Sequence, residues 1–152
     1  MFHWLLSFHS IIRWLLLVML LIAIIRAVRG YKWRLPYTKA ENSIRHWTAT
    51  MAHIQLVVGM MVYLKSPLTK YFWQHINEAA SILDSLFFPV IHLLLMLSAI
   101  TILTIGSALT KRRFSDHMKF RTQLVWFAAA LLLILIAIPW PCSPLAQRPY
   151  FR

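Results

Sequence analysis

The sequence has few of the residues from which hydrolytic and thiolate metal sites are built. It holds one cysteine and four acidic residues among 152. The single thiol, Cys142, excludes an intramolecular disulfide and a cluster of thiolate metal ligands. The four carboxylates fall in predicted loops or at helix edges: Glu41, Glu78, Asp84 and Asp116. No Ser/His/Asp, Cys/His or paired-carboxylate arrangement is present, so hydrolytic chemistry is not expected.

The sequence also has too few charged and polar residues for a separate soluble domain. Charged residues make up 13% of the chain and hydrophobic residues 60%, more apolar surface than a water-soluble fold can bury. No Gly/Ser linker, internal repeat or low-complexity run divides the sequence. We therefore predict one membrane domain over residues 1–152.

The apolar residues are gathered into four blocks. They predict membrane spans at about 4–25, 44–64, 86–109 and 118–140, each close to the ~20 residues that cross ~30 Å of hydrocarbon. In the fourth span the continuous apolar run begins at Gln123, and Pro139-Trp140-Pro141 ends it. The first block lacks the basic start and the cleavage site of a signal peptide. The predicted fold class is an all-α integral membrane protein, an antiparallel four-transmembrane-helix bundle.

The basic residues predict the orientation of this bundle. Two connections are rich in cations, between spans one and two and between spans three and four: Arg26, Arg29, Lys32, Arg34, Lys39 and Arg45, then Lys111, Arg112, Arg113, Lys119 and Arg121. The middle connection has only Lys65 and Lys70. By the positive-inside rule both termini lie outside the cytoplasm, although Arg148 and Arg152 in the tail argue the other way.

The net charge of +12 has the same explanation. The cations flank apolar spans and do not line a soluble face with interleaved aromatics, so nucleic acid is not an expected partner. Anionic lipid head groups are the expected partners of these cations.

Histidines inside the spans carry the functional information, because ionisable residues at that depth are costly and are functional-site hypotheses by default. His9, His53 and His92 lie in spans one, two and three, and His117 stands at the start of span four. One histidine per helix allows a bundle to bind a cofactor axially from facing helices.

The two outer histidines within the spans, His9 and His92, lie at the same predicted depth. At 1.5 Å per residue, His9 and His92 each lie about 8–9 Å below the outer end of their spans. Helices one and three are diagonal neighbours in such a bundle, so two imidazoles at one depth favour a bis-histidine haem b. No C-x-x-C-H motif occurs, so a haem would be non-covalent.

The inner pair, His53 and His117, matches less well in depth. His117 is deep enough only if helix four begins near Ser115 as its N-cap. His46 is the alternative inner ligand, because it lies seven residues before His53 on nearly the same helix face.

Small and polar residues near the histidines have two interpretations. Ala99 and Gly106, seven and fourteen residues after His92, leave room for a macrocycle or serve tight helix packing. Arg13, one turn after His9, meets a haem propionate or a quinone head group, or else reaches the outer interface. Five further polar residues are predicted to form interhelical hydrogen bonds: Gln55, Ser98, Thr101, Thr104 and Gln123.

Several short motifs, in order, resemble a family of short bacterial four-helix membrane proteins usually labelled cytochrome B. The motifs are Phe8-His9-Ser10 with Arg13-Trp14, Ala52-His53-Ile54-Gln55-Leu56 with Gly59, His92, the histidine before Lys119, and Ile138-Pro139-Trp140-Pro141. More distantly, the architecture is similar to the di-haem four-helix cytochromes b that include superoxide oxidases. Those proteins place two ligands on the fourth helix, where this chain has one.

The resemblance implies axial ligation by His9, His53, His92 and His117 and two b haems. It also implies a bacterial inner-membrane location and electron transfer between the quinone pool and a redox partner outside the cytoplasm, such as superoxide. The chain would then be a quinone-linked oxidoreductase. Two alternatives stay open: a haem-free accessory subunit of a larger membrane complex, and a quinone- or metal-binding protein without haem.

Overall fold

Four long apolar helices dominate the structure, and their bounds follow the four apolar blocks. The computed structural model describes residues 2–80 and 82–140. In chain order the elements are α1 (Phe2–Lys32), α2 (Lys39–Lys65), α3 (Pro67–Gln74), α4 (Ile76–Ala79), α5 (Leu83–Leu86), a π-helical segment (Phe87–His92), α6 (Leu93–Arg112) and α7 (Asp116–Ala137). Four helices are long and apolar enough to cross a membrane: α1, α2, the π segment with α6, and α7. The predicted all-α membrane bundle is confirmed.

Four residues used in the sequence analysis lie outside the described residues: Pro141, Cys142, Arg148 and Arg152.

The helices are longer than the predicted spans at the end that carries the two basic connections, here called the basic end. The connection between α1 and α2 is only residues 33–38, so Arg26 lies on α1 and Glu41 on α2. Their side chains pair across the two helices, with Arg26 Nη2 2.5 Å from Glu41 Oε1. At the start of α7 the Ser115 hydroxyl accepts the Met118 amide at 3.3 Å. The helix therefore begins with the Ser115 N-cap that a membrane depth for His117 requires.

The order of the helices around the bundle is set by four packing contacts. α1 packs on α2 and α7, and α6 packs on α7 and α2. Helices α1 and α6 are thus diagonal, as predicted, and the α2–α6 contact is the least extensive of the four. The core at the centre includes Leu20, Ala99, Leu103 and Phe127, all of them fully buried.

Close packing of α6 on α7 decides between the two interpretations of Ala99 and Gly106. A Cβ added at Gly106 would overlap the Cβ of Trp126. The space beside the glycine is therefore filled by α7 and leaves no room for a macrocycle. Ala99 is likewise buried in the hydrophobic core. Of the two interpretations of these small residues, tight helix packing is the one that the structure supports.

Buried polar side chains tie the helices together at the basic end. Arg45, only 6% exposed, donates to the Ser107 carbonyl and hydroxyl of α6 and to Asn42 Oδ1. Gln123 of α7 accepts the Tyr37 hydroxyl at 2.6 Å and donates to the Ala23 carbonyl at 3.2 Å. Without water, backbone and side-chain polar groups at this depth need such protein partners.

Tyr37 gives a pH-dependent prediction. Burial raises the pKa of its phenol to about 12, whereas an unfolded chain has a pKa of about 10. A raised folded-state pKa stabilises the fold fully below pH ~10, and this contribution is lost as the pH rises towards ~12. We expect Tyr37→Phe to lose about 1–3 kcal/mol at pH 8, since Gln123 keeps a buried, unbonded oxygen. Thermal unfolding in detergent measures this.

The deficit of Tyr37→Phe relative to the unmodified chain should shrink between pH ~10 and pH ~12. Tyr71→Phe, an exposed tyrosine far from the basic end, is the matched control. A deficit that stays constant across this range would contradict the role assigned to the phenol proton.

Candidate cofactor site

A cavity of about 290 Å³ lies at the end of the bundle opposite the basic end, here called the cavity end. The walls come from α1, α2, the π segment and α6, and most of the lining side chains are apolar. Ligand pockets are typically of this kind, apolar with a few convergent polar groups, and start at roughly 300 Å³. The polar groups that line it include His9, Arg13, Gln55 and His92.

His92 is the last residue of the π segment. The local sequence accounts for this irregular helical turn. Pro89 has no amide hydrogen to donate, and π-helical turns are often found at functional sites. The His92 Nδ1 atom lies 2.8 Å from the carbonyl oxygen of Ala137, the last residue of α7, so Nδ1 carries the proton and donates it. In the neutral ring, Nε2 then keeps its lone pair.

His9 is held on the wall between α1 and α2. The Gln55 amide nitrogen lies 3.1 Å from the His9 carbonyl oxygen and 3.2 Å from His9 Nε2. Since the amide can only donate, His9 Nε2 accepts. His9 Nδ1 is buried and has no hydrogen-bond partner among the described residues. Gly59 makes space for this ring, because a Cβ there would lie 3.1 Å from His9 Cε1.

Arg13 gives the cavity its electrostatic character. It lines the cavity one turn after His9, and no aspartate or glutamate is among the described lining residues. Guanidinium stays charged at any physiological pH, and in a poorly hydrated space it favours a ligand that carries an acidic group.

The connection after α2 contributes to the cavity wall. Residues 66–69 at the start of α3 line the cavity, and Phe72 anchors this helix with 2% exposure. The Trp73 indole donates to the Tyr63 hydroxyl at 2.9 Å, and that hydroxyl donates to the Pro89 carbonyl at 3.3 Å. α3 is thereby tied to both α2 and the π segment.

The structure does not bring the predicted inner pair together. His53 lies at the α2–α6 contact with Nε2 3.0 Å from the Thr104 hydroxyl oxygen. His117 stacks on Tyr31 of α1, with ring centroids 4.4 Å apart. His46, the alternative, is exposed on α2. Axial ligation by these three residues stays a prediction.

Comparisons with protein-family models, curated proteins and solved structures gave no match to this chain. Within residues 2–80 and 82–140, no cluster of three or more His, Cys, Asp or Glu forms a site for a bare metal ion. A planar cofactor that takes one ligand from each of two helices needs no such cluster.

Gln55 belongs to the site, although this was not predicted. It was predicted to form an interhelical hydrogen bond, and it does, but with a site histidine. The spacing of Gln55 and Gly59 could have indicated its place in the site, because residues four apart share a helix face and the small Gly59 leaves space beside Gln55. Among the other four polar residues, Thr104 and Gln123 form bonds between helices, whereas Ser98 and Thr101 are exposed.

Proposed function

We propose that the protein is a membrane-embedded b-type cytochrome whose cavity holds one non-covalent haem between His9 and His92. One observation carries this proposal: the His92 Nδ1 proton is committed to the Ala137 carbonyl, which leaves Nε2 as a metal-ligating atom at a largely apolar cavity that His9 also lines. A metal-bound histidine nearly always donates its other ring N–H to such a carbonyl or carboxylate.

The residues of the cavity fit a haem in three respects. Two imidazoles come from diagonal helices, the remaining walls are mainly apolar, and Arg13 offers a cation to the acidic side chains of the macrocycle. When bound, haem supplies one-electron transfer. The protein holds the His92 ring through Ala137 and the His9 main chain through Gln55, and the start of α3 lines the same cavity.

A second haem at the basic end, between His53 and His117, is supported less. His53 Nε2 is engaged with Thr104, and His117 faces a different helix pair. We therefore restrict the structural proposal to one haem. Electron exchange with the quinone pool and with a redox partner outside the cytoplasm is proposed from the resemblance alone.

A haem-free accessory subunit is the competing function. The His9–Gln55 contact favours it, because that bond occupies His9 Nε2 without a cofactor. A reduced-minus-oxidised absorption spectrum of the purified protein distinguishes the two functions. The cytochrome proposal expects a b-type α-band and about one haem per chain. Protein purified from haem-replete cells with no α-band would refute it.

Gln55→Leu tests how the site is built. This change removes the bond to the His9 carbonyl, which holds the His9 main chain against α2, and the bond to Nε2, which a haem ligated by that atom would replace. The bond to the carbonyl is the one that would position the ligand in the haem-bound state, and loss of such a positioning residue typically weakens binding about 10- to 100-fold. We expect that loss in a haem titration, with the helical circular-dichroism signal retained. Met96→Leu, which also changes a cavity-lining residue but no polar contact, should bind haem normally. Equal affinity in both variants would contradict the role of Gln55.

We also propose that the basic end faces the cytoplasm and the cavity end faces outside, following the positive-inside rule. Single cysteines at Arg34 and at Gln74, each in a Cys142→Ser background, report the two ends. A membrane-impermeant maleimide applied to intact cells should label the cysteine at position 74 and leave the one at position 34 unlabelled. The reverse pattern would invert the orientation.

A further inference from the structure

His53 lies in an unusual place for a histidine of a membrane helix. It is near the middle of α2, yet its side chain is exposed on the outside of the bundle. Ionisable residues at this depth almost always face the bundle interior or a water-filled cavity. His53 does neither in the single chain, and it does not line the cavity at the other end.

The surface around His53 is formed where α2 and α6 meet. We call it the seam face and define it by five exposed residues of these two helices: His53, Val57, Leu97, Thr101 and Ile105. It is apolar apart from His53 and Thr101. The α2–α6 contact that it flanks is the least extensive of the four contacts in the bundle, so these helices bury the smallest part of their surfaces within one chain.

The hydrogen bonds of the seam fix the protonation of His53. The Thr104 hydroxyl donates its only proton to the Ile100 carbonyl at 2.7 Å. Its oxygen therefore accepts from His53 Nε2 at 3.0 Å, and Nε2 carries the ring proton. In the neutral ring, Nδ1 is then an acceptor. Lipid tails offer no donor to it, and an unsatisfied polar atom in hydrocarbon is costly.

The geometry points to a second copy of this chain packed on the seam face around a two-fold axis. The face carries an acceptor, His53 Nδ1, and a hydroxyl donor, Thr101, so it is complementary to itself in hydrogen bonding. A two-fold interface uses the same patch on both copies, so each bond forms twice. Interhelical hydrogen bonds of this type stabilise membrane helix association, and Leu97, Val57 and Ile105 supply the apolar packing around them.

This interface is independent of the haem proposal, because the seam face and the cavity share no residue. It gives His53 a role in association in place of the axial ligation that the resemblance implies. The two roles make different predictions for one variant: His53→Leu weakens association and leaves the haem content of the protein unchanged.

Sedimentation equilibrium in density-matched detergent tests the proposal on the full chain. Each interhelical bond stabilises association by an amount worth roughly 3- to 20-fold in equilibrium constant, and the variant loses it on both copies. We expect the unmodified chain to form dimers and His53→Leu to raise their dissociation constant by roughly 10- to 400-fold. Leu132→Ala, which truncates an exposed side chain on α7, is the matched control and should change it little.

Cysteine cross-linking in native membranes places the interface without relying on detergent. In a Cys142→Ser background, a cysteine at Leu97 or at Ile105, the exposed apolar residues on either side of Thr101, should form a cross-linked dimer, whereas a cysteine at Leu132 should not. The proposal is overturned by a monomer in both experiments, by cross-linking at positions 97 and 105 no greater than at position 132, or by a different protein cross-linked to positions 97 and 105. It is also overturned if His53→Leu dimerises as the unmodified chain does.

Discussion

Replacing His92 with alanine is expected to lower the bound haem from about one per chain to less than a tenth of that. The proposed site has two protein ligands, and without one of them the iron keeps a single imidazole, since the described lining residues include no third histidine. The truncation also frees the Ala137 carbonyl and removes a ring that packs near Phe87 and Phe88. A pyridine haemochrome assay on purified protein measures the haem content.

Two controls separate loss of a ligand from loss of the fold. His75→Ala removes an exposed histidine at the same end of the bundle, and its haem content should equal that of the unmodified chain. Free imidazole added to His92→Ala should restore part of the α-band, because a small ligand can enter the space that the side chain leaves. His9→Ala should behave as His92→Ala does.

The haem content of His92→Ala also decides between one haem and two. A fall to about half, with the remainder lost on further replacement of His53 or His117, would indicate a second haem at the basic end. Full haem content in His92→Ala would contradict the assignment of this residue as a ligand.

Gly106→Ala is expected to lower the stability of the bundle by about 1–3 kcal/mol, the usual cost of adding volume to a packed core. The new Cβ would overlap the Cβ of Trp126, an atom fixed to the backbone of α7, so relief requires the two helices to move apart. Helix propensity alone would make alanine more stable than glycine by about 1 kcal/mol. A loss of stability would therefore be due to the close contact between α6 and α7. Thermal unfolding monitored by circular dichroism measures it.

Gly30→Ala is the matched comparison. Its added Cβ would meet the far end of the Phe120 ring, a side chain that can rotate, so we expect a smaller loss than at Gly106. An unfolding temperature of Gly106→Ala at or above that of the unmodified chain would show that α6 and α7 do not approach as closely as the structure has them.

The sequence was sufficient for the features that depend on distance along the chain. The lengths of the apolar blocks predicted four helices, and their antiparallel order predicted that α1 and α6 are diagonal. Counting residues from the helix ends also put His9 and His92 at one depth, and both line one cavity. Each of these follows from the rise per residue of a helix.

Rotation of the helices about their own axes was decided only by the tertiary structure. Gln55 faces His9, whereas His53, two residues earlier, faces outward at the seam. Gly106, expected beside a cofactor, lies under Trp126. In water an apolar stripe marks the buried face of a helix, but lipid is as apolar as the protein core, so hydrophobicity does not distinguish inward from outward residues. In this protein, side-chain volume and hydrogen bonding between helices determine which face of each helix points inward. Neither can be predicted from the sequence of one helix alone.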